Sequence, residues 1–173
     1  MRNIILVGMP GSGKSTIGLM LQDILLDYTL YDTDSIIEKT NNLKISEIFE
    51  KYSEDYFRKM EYETIKMLCS GRNKIIAIGG GAFENPDTRS TLLNFGKVFY
   101  LKSDIDVLYY RISKENTRPL LECDNPKEVL EKLLKKRGEN YQKAHYTINI
   151  EDKTPQEIVN TILEKFYEAN SES

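Results

Sequence analysis

Residues 8–15 read "GMPGSGKS" and fill every fixed position of G-x-x-x-x-G-K-[ST]. No other stretch constrains the fold as tightly. The apolar run "NIILVG" at 3–8 leads into it and an amphipathic stretch near 14–26 leaves it, so the loop joins a strand to a helix. Gly8, Gly11 and Gly13 let the backbone curl until successive N–H groups point inward, and the following helix turns its positive end to the same place. Such a cradle takes phosphate. Gly11, Ser12, Gly13, Lys14, Ser15 and Thr16 are therefore nucleotide-binding candidates, with Lys14 reaching the β- and γ-phosphates and the Ser15 hydroxyl a ligand for Mg²⁺.

Beyond the loop, β-rich runs at 29–32, 74–79, 97–101 and 146–150 alternate with helical stretches near 54–70, 87–94, 104–114 and 126–143. This rhythm predicts a parallel sheet covered on both faces, in one domain over residues 1–173. A last helix starts at Pro155 with Thr154 as its N-cap, and the polar tail "EANSES" is expected to fray. Two segments break the rhythm. Residues 33–61 read as a small helical insertion, and "ENTRPLLECDNP" at 115–126 as a loop rich in charge, Pro and Asn.

Composition narrows the function classes. With 40% hydrophobic residues the chain can build a core, while a net charge of −3 supplies no basic field for nucleic acid and no polybasic membrane anchor. No stretch approaches the roughly 18 apolar residues of a membrane span. The first residues read as a strand rather than a signal peptide. Cys69 and Cys123 fit no metal spacing and make no disulfide framework, which reads as free thiols in a reducing cytosol. A cytoplasmic monomer is expected. His145, the sole histidine, ends a helical stretch and is assigned no chemistry.

A phosphate loop alone does not distinguish a kinase from a switch or a motor. The usual second motif is an acid at the end of an apolar strand, serving the Mg²⁺ shell. The strand "KIIAI" ends in "GGG" and offers none. The acids at a suitable strand end are those of "YDTDS" at 31–35. Strand alternation would point Asp32 and Asp34 together off that end, and two like charges side by side need separate employment. One can serve the metal and the other the phosphoryl acceptor.

The motifs taken together resemble the shikimate kinase family: the phosphate loop, Asp32-Thr33-Asp34, "FRKME" with Arg58 and Glu61, Gly79-Gly80-Gly81, "RPLL" with Arg118, and "RGENYQKA" with Arg137 and Tyr141. They arrive in order across residues 4–150. The resemblance implies a P-loop NTPase fold, three layers α/β/α around a five-stranded parallel sheet of order 2-3-1-4-5. It also implies a substrate-binding insertion, matched by 33–61, and a lid, matched by about 112–126. The implied activity is MgATP-dependent phosphorylation of the 3-hydroxyl of shikimate, a step towards chorismate and the aromatic amino acids, with ATP as co-substrate and one Mg²⁺.

Shikimate carries one carboxylate and three ring hydroxyls, and the roles the resemblance implies follow that chemistry. Arg58 and Arg137 fork the carboxylate, since guanidinium pairs with it bidentately and stays charged. Glu61, three residues on from Arg58, holds that arginine. Asp34 accepts from the ring hydroxyls, and Asp32 joins Ser15 in the metal shell. Gly79, Gly80 and Gly81 admit the ring close to the backbone. Arg118 neutralises charge on the transferred phosphoryl group, so Lys14, Asp34 and Arg118 form the catalytic set. Arg111 and Pro155 flank the adenine. Ser53-Glu54, Gly138 and Leu19 depart from the family's usual residues without removing any of these groups. The competing readings are a gluconate or nucleoside monophosphate kinase of the same fold, and a non-catalytic nucleotide-binding protein. Intact Lys14, Ser15, Asp32, Asp34 and Arg118 weigh against the last.

Overall fold

In the computed structural model, which describes residues 3–114 and 125–171, the first strand is the innermost element. Strand β1 (Asn3–Val7) is buried along its whole length, as a run of Ile, Leu and Val flanked on both sides must be. Its neighbours are β3 (Lys74–Ala77) and β4 (Lys97–Lys102), and β2 (Thr29–Asp32) and β5 (Tyr146–Asn149) form the edges. All pairings are parallel and the order is β2-β3-β1-β4-β5, as the resemblance implied.

Side-chain alternation along β1 splits the core between two faces. Ile4 and Leu6 pack with Ile17 and Leu21 of α1 (Lys14–Ile24) and with Ile158, Ile162 and Phe166 of α8 (Pro155–Ser171). Ile5 and Val7 face the other way. They meet α4 (Glu54–Leu68), α5 (Pro86–Phe95), α6 (Ile105–Lys114) and α7 (Pro126–Tyr141). Each of these buried aliphatic side chains contributes about 1.5–3 kcal/mol. The insertion forms α2 (Thr33–Asn41) and α3 (Ile45–Lys51), and has a core of its own where Ile37 and Ile48 meet Phe57 of α4.

One expectation is corrected at the chain's end. Helix α8 continues through "EANS" to Ser171, because Ala169 is buried and Asn170 Nδ2 donates to the Phe166 carbonyl. The tail is polar in composition, but Ala169 lies three residues on from buried Phe166, at helical spacing. The Thr154 cap is present and reciprocal: its hydroxyl accepts from Glu157 N–H while the Glu157 carboxylate accepts from Thr154.

Register places the functional edge. Asp32 lies level with Ala77, and Ala77 with Leu6, so the residues that follow β1, β2 and β3 emerge together at their carboxyl ends. That is also where the order switches direction, the usual crevice for ligands in open α/β sheets. At the opposite edge buried Asn3 ties three segments, donating to the carbonyls of Gly71 and Phe95 and accepting from Lys74 N–H.

Candidate active site

The phosphate loop is held open by three glycines at positive φ, Gly8, Gly11 and Gly13. A side chain at Gly8 or Gly11 would also meet backbone, the Leu101 and Leu108 carbonyls respectively. Lys14 opens α1 and arches back over the loop, its Nζ donating to the carbonyls of Gly8 at 3.0 Å and Met9 at 3.1 Å.

Ser15 Oγ lies 2.6 Å from Asp32 Oδ2 and donates to it, so the loop's hydroxyl and the strand-end acid form one oxygen pair. Two hard oxygens at this spacing fit Mg²⁺, which takes one or two protein oxygens and leaves its other positions to water and phosphate. Asp32 differs from its expected setting in one respect. Its other oxygen accepts from Ser35 N–H at 3.1 Å, which makes Asp32 the N-cap of α2 and puts Asp34 in the first helical turn. The two acids are therefore brought together by a strand-to-helix turn, not by strand alternation. Between them Thr33, fully buried, accepts the Gly79 N–H at 2.9 Å and fastens this turn to the glycine triplet.

The triplet explains itself by what surrounds it. A Cβ on Gly79 would stand 2.6 Å from both Asp34 Oδ1 and Glu61 Oε1. One on Gly80 would lie 3.2 Å from Arg137 Nη1, and one on Gly81 2.7 Å from the Arg58 guanidinium carbon. Two arginines and two carboxylates thus converge on three residues without side chains. Tyr141, which the motif named without a role, steadies the middle one: its hydroxyl donates to the Gly80 carbonyl, and its ring stacks on Tyr100 at 4.9 Å. Burial raises the Tyr141 pKa, so it remains a donor.

Each arginine leans on a carboxylate. Arg58 donates to Glu61 at 2.8 Å and to Glu54 at 3.2 Å. Burial by itself lowers the Arg58 pKa, but these two pairs outweigh it and the net direction is up. Arg137 Nε donates to Glu84 at 2.7 Å, and Lys136 reaches the other Glu84 oxygen at 3.1 Å. Glu84 was not anticipated, since a lone acid after a glycine run carries no periodic or motif signal.

Glu61 is 3% exposed, and its Oε1 has no hydrogen-bond partner among the described residues. Burial drives its pKa up and Arg58 only partly offsets this, leaving it at about 7 against an ordinary 4.5. A carboxyl raised in the folded state favours folding below its unfolded pKa, and that contribution is lost as pH climbs through the folded value. The native protein should therefore lose stability relative to Glu61→Gln between pH 4.5 and 7, by about 1.4 kcal/mol per pH unit inside that window. Urea unfolding of both proteins across the range checks it. Parallel pH profiles would mean that Glu61 ionises normally.

The pocket measures about 790 Å³ and is lined by Lys14, Ser15, Asp32, Asp34, Arg58, the three glycines and Arg137, with Phe49 and Phe57 adding apolar surface. Ser12, Arg111 and Pro155 are not on that wall. Ser12 is buried within the loop, Arg111 Nη1 comes within 4.0 Å of a Cβ position at Gly13, and Pro155 is exposed at the start of α8. Arg118, Cys123 and most of the 112–126 segment lie outside the described residues. His145 accepts the Val98 N–H at 3.0 Å, a structural employment that agrees with assigning it no chemistry. Burial pushes the Cys69 thiol up to about 11, so it is a poor nucleophile. No helix among the described residues is long and apolar enough to cross a membrane.

The sequence model of the shikimate kinase family matches residues 10–167. A curated relative, shikimate kinase from Thermodesulfovibrio yellowstonii, is 36% identical over 166 residues, spanning 96% of this chain and 95% of its own. The solved structure of shikimate kinase from Acinetobacter baumannii in complex with shikimate superposes with a TM-score of 0.91 at 35% identity, covering 98% of this chain and 94% of that one. A gluconokinase from Sinorhizobium meliloti, covering 99% of this chain and 97% of its own, reaches 0.62 at 16% identity and shares the fold.

Proposed function

The chain belongs to the shikimate kinase family, and on that premise we propose that it transfers the γ-phosphoryl group of ATP, bound with Mg²⁺, to the 3-hydroxyl of shikimate. The products are shikimate 3-phosphate and ADP, in chorismate and aromatic amino-acid biosynthesis. The observation that carries this reading is the convergence of Arg58, Arg137, Asp34 and Glu61 on Gly79–Gly81, in the same pocket as Lys14 and next to the phosphate loop, where a Cβ on Gly80 would stand 3.5 Å from the Gly8 carbonyl. The phosphate-loop residues of that pocket suit a triphosphate, and the charged groups around the glycines suit a small polyhydroxylated acid.

In this mechanism Arg58 and Arg137 pair with the acceptor's carboxylate and hold the ring over the glycines. Asp34 accepts a hydrogen bond from the 3-hydroxyl and aims its oxygen at the phosphoryl group. Little proton removal is needed early, because the transition state is loose. Lys14 and the loop N–H groups stabilise charge spreading onto the phosphoryl oxygens. Ser15 and Asp32 would hold Mg²⁺, which would supply positive charge against the phosphates. On its sequence motif Arg118 is assigned to the same developing charge, and Arg111 and Pro155 to the adenine. The chain acts as one domain and as a cytoplasmic monomer, with 33–61 as the acceptor-binding segment and about 112–126 as the lid.

A coupled ADP-release assay with shikimate, gluconate and nucleoside monophosphates tests the assignment. Turnover should be confined to shikimate and abolished by chelating Mg²⁺. Preference for another acceptor would overturn the substrate, and ADP release with none of them would overturn acceptor phosphorylation altogether.

A further inference from the structure

The two arginines facing the acceptor are supported differently. Arg58 is held from within its own helix by Glu61 and Glu54. Arg137 is held by Glu84, 53 residues earlier in sequence, in the 3₁₀ turn Ala82–Glu84 that leaves the glycine triplet. Glu84 therefore joins helix α7, which carries Arg137, to the backbone over which the acceptor must lie. The bond engages Nε, while Nη1 extends to 3.2 Å from the Cβ position of Gly80. A guanidinium is planar, so a fixed acceptor on Nε together with its own stem sets the direction in which its terminal nitrogens point. Lys136 holds the second Glu84 oxygen and keeps the carboxylate from rotating away. Both Arg137 and Glu84 are largely shielded, with side chains 10% and 20% exposed, so the pair is only weakly screened.

We propose that Glu84 is a positioning residue for acceptor binding, fixing the plane of the Arg137 guanidinium so that its terminal nitrogens meet the acceptor carboxylate. This rests on the functional reading above. It does not follow from charge alone: the Glu84 anion stands near the site of another anion, and Coulomb repulsion by itself would make it a hindrance to binding. The hydrogen bond must therefore contribute more through orientation than its charge costs.

Kinetics of Glu84→Ala and Glu84→Gln in the full chain, each against ATP and shikimate, separate the two effects. Glu84→Ala should raise KM for shikimate about 10-fold or more, the usual result of losing a hydrogen bond to a charged group, while KM for ATP stays as in the unaltered protein. Glu84→Gln, whose amide oxygen can still accept from Nε, should recover most of that loss. The ¹⁵N resonance of Arg137 Nε–H, followed without any ligand, should show protection from solvent exchange in the wild type and in Glu84→Gln but not in Glu84→Ala. An unchanged or lowered shikimate KM in Glu84→Ala would overturn the proposal, as would equal rises for both substrates. A wild-type protein that turns over no shikimate would overturn the functional reading as well, and so is distinguishable from failure of the proposal alone.

Discussion

Lys14→Met is expected to cut turnover by about a thousandfold or more while the protein unfolds at nearly its normal temperature. The loop does not depend on this side chain for its shape. Positive φ at Gly8, Gly11 and Gly13 sets the curl, and backbone bonds from Ser12 to Met9 and from Ile17 to Gly13 close it. Methionine replaces the stem at similar volume, so the apolar contacts survive. What disappears is one positive charge beside the phosphoryl group, where charge spreads over three oxygens in a loose transition state and no other protein cation of the described loop can replace it. The carbonyls of Gly8 and Met9, both buried residues, lose a donor, and any small fall in the unfolding temperature comes from there. Activity and thermal unfolding measured on the same sample decide it. Near-normal turnover in a folded Lys14→Met protein would remove the phosphate-loop assignment, and with it the kinase.

The strand-to-helix loop and the hydrophobic rhythm were legible because each follows from local rules. G-x-x-x-x-G-K-[ST] between an apolar run and an amphipathic one admits a single arrangement, and strand positions along the sheet came within a residue or two. Asp34 shows where local rules stop. Both a strand extension and a helix start are compatible with "YDTDS", and only the Asp32 cap on Ser35 decides between them. Read along the sequence alone, the acids meet by alternation; in the fold a turn puts both on the pocket wall.

Partners distant in sequence were the illegible part. Thr33 to Gly79, Tyr141 to Gly80 and Arg137 to Glu84 span 46, 61 and 53 residues, and each is a single hydrogen bond with no periodic signature. The glycine triplet carried a visible hint that something approached it closely. It could not say that four charged side chains did so. The resemblance supplied Arg58 and Arg137 by motif, but Glu84 belongs to none of the motifs and meets Arg137 only through the fold.

Truncating either fork arginine is expected to weaken shikimate binding by about 2–5 kcal/mol, roughly 30-fold to several-thousandfold, because a partly desolvated anion loses its bidentate partner. Affinity for a non-hydrolysable ATP analogue should fall far less, since Arg58 bonds to Glu61 and Glu54 and Arg137 to Glu84 rather than to the phosphate loop. The two variants should differ in their secondary cost. Arg137→Ala leaves Glu84 still paired with Lys136, so no carboxylate is stranded there. Arg58→Ala strips the counter-ion from Glu61, which is buried and has an unpartnered oxygen. That carboxyl is already raised to about 7, so without Arg58 it should stay protonated to higher pH and the protein should be less stable in alkaline buffer. Arg58→Ala combined with Glu61→Gln removes the buried acid and should restore stability without restoring shikimate binding. Calorimetric titration of both ligands, with unfolding followed at pH 6 and pH 9, separates these effects. If the double variant binds shikimate normally, Arg58 does not hold the carboxylate; if Arg58→Ala loses ATP affinity as well, the defect lies in folding and the fork must be sought elsewhere.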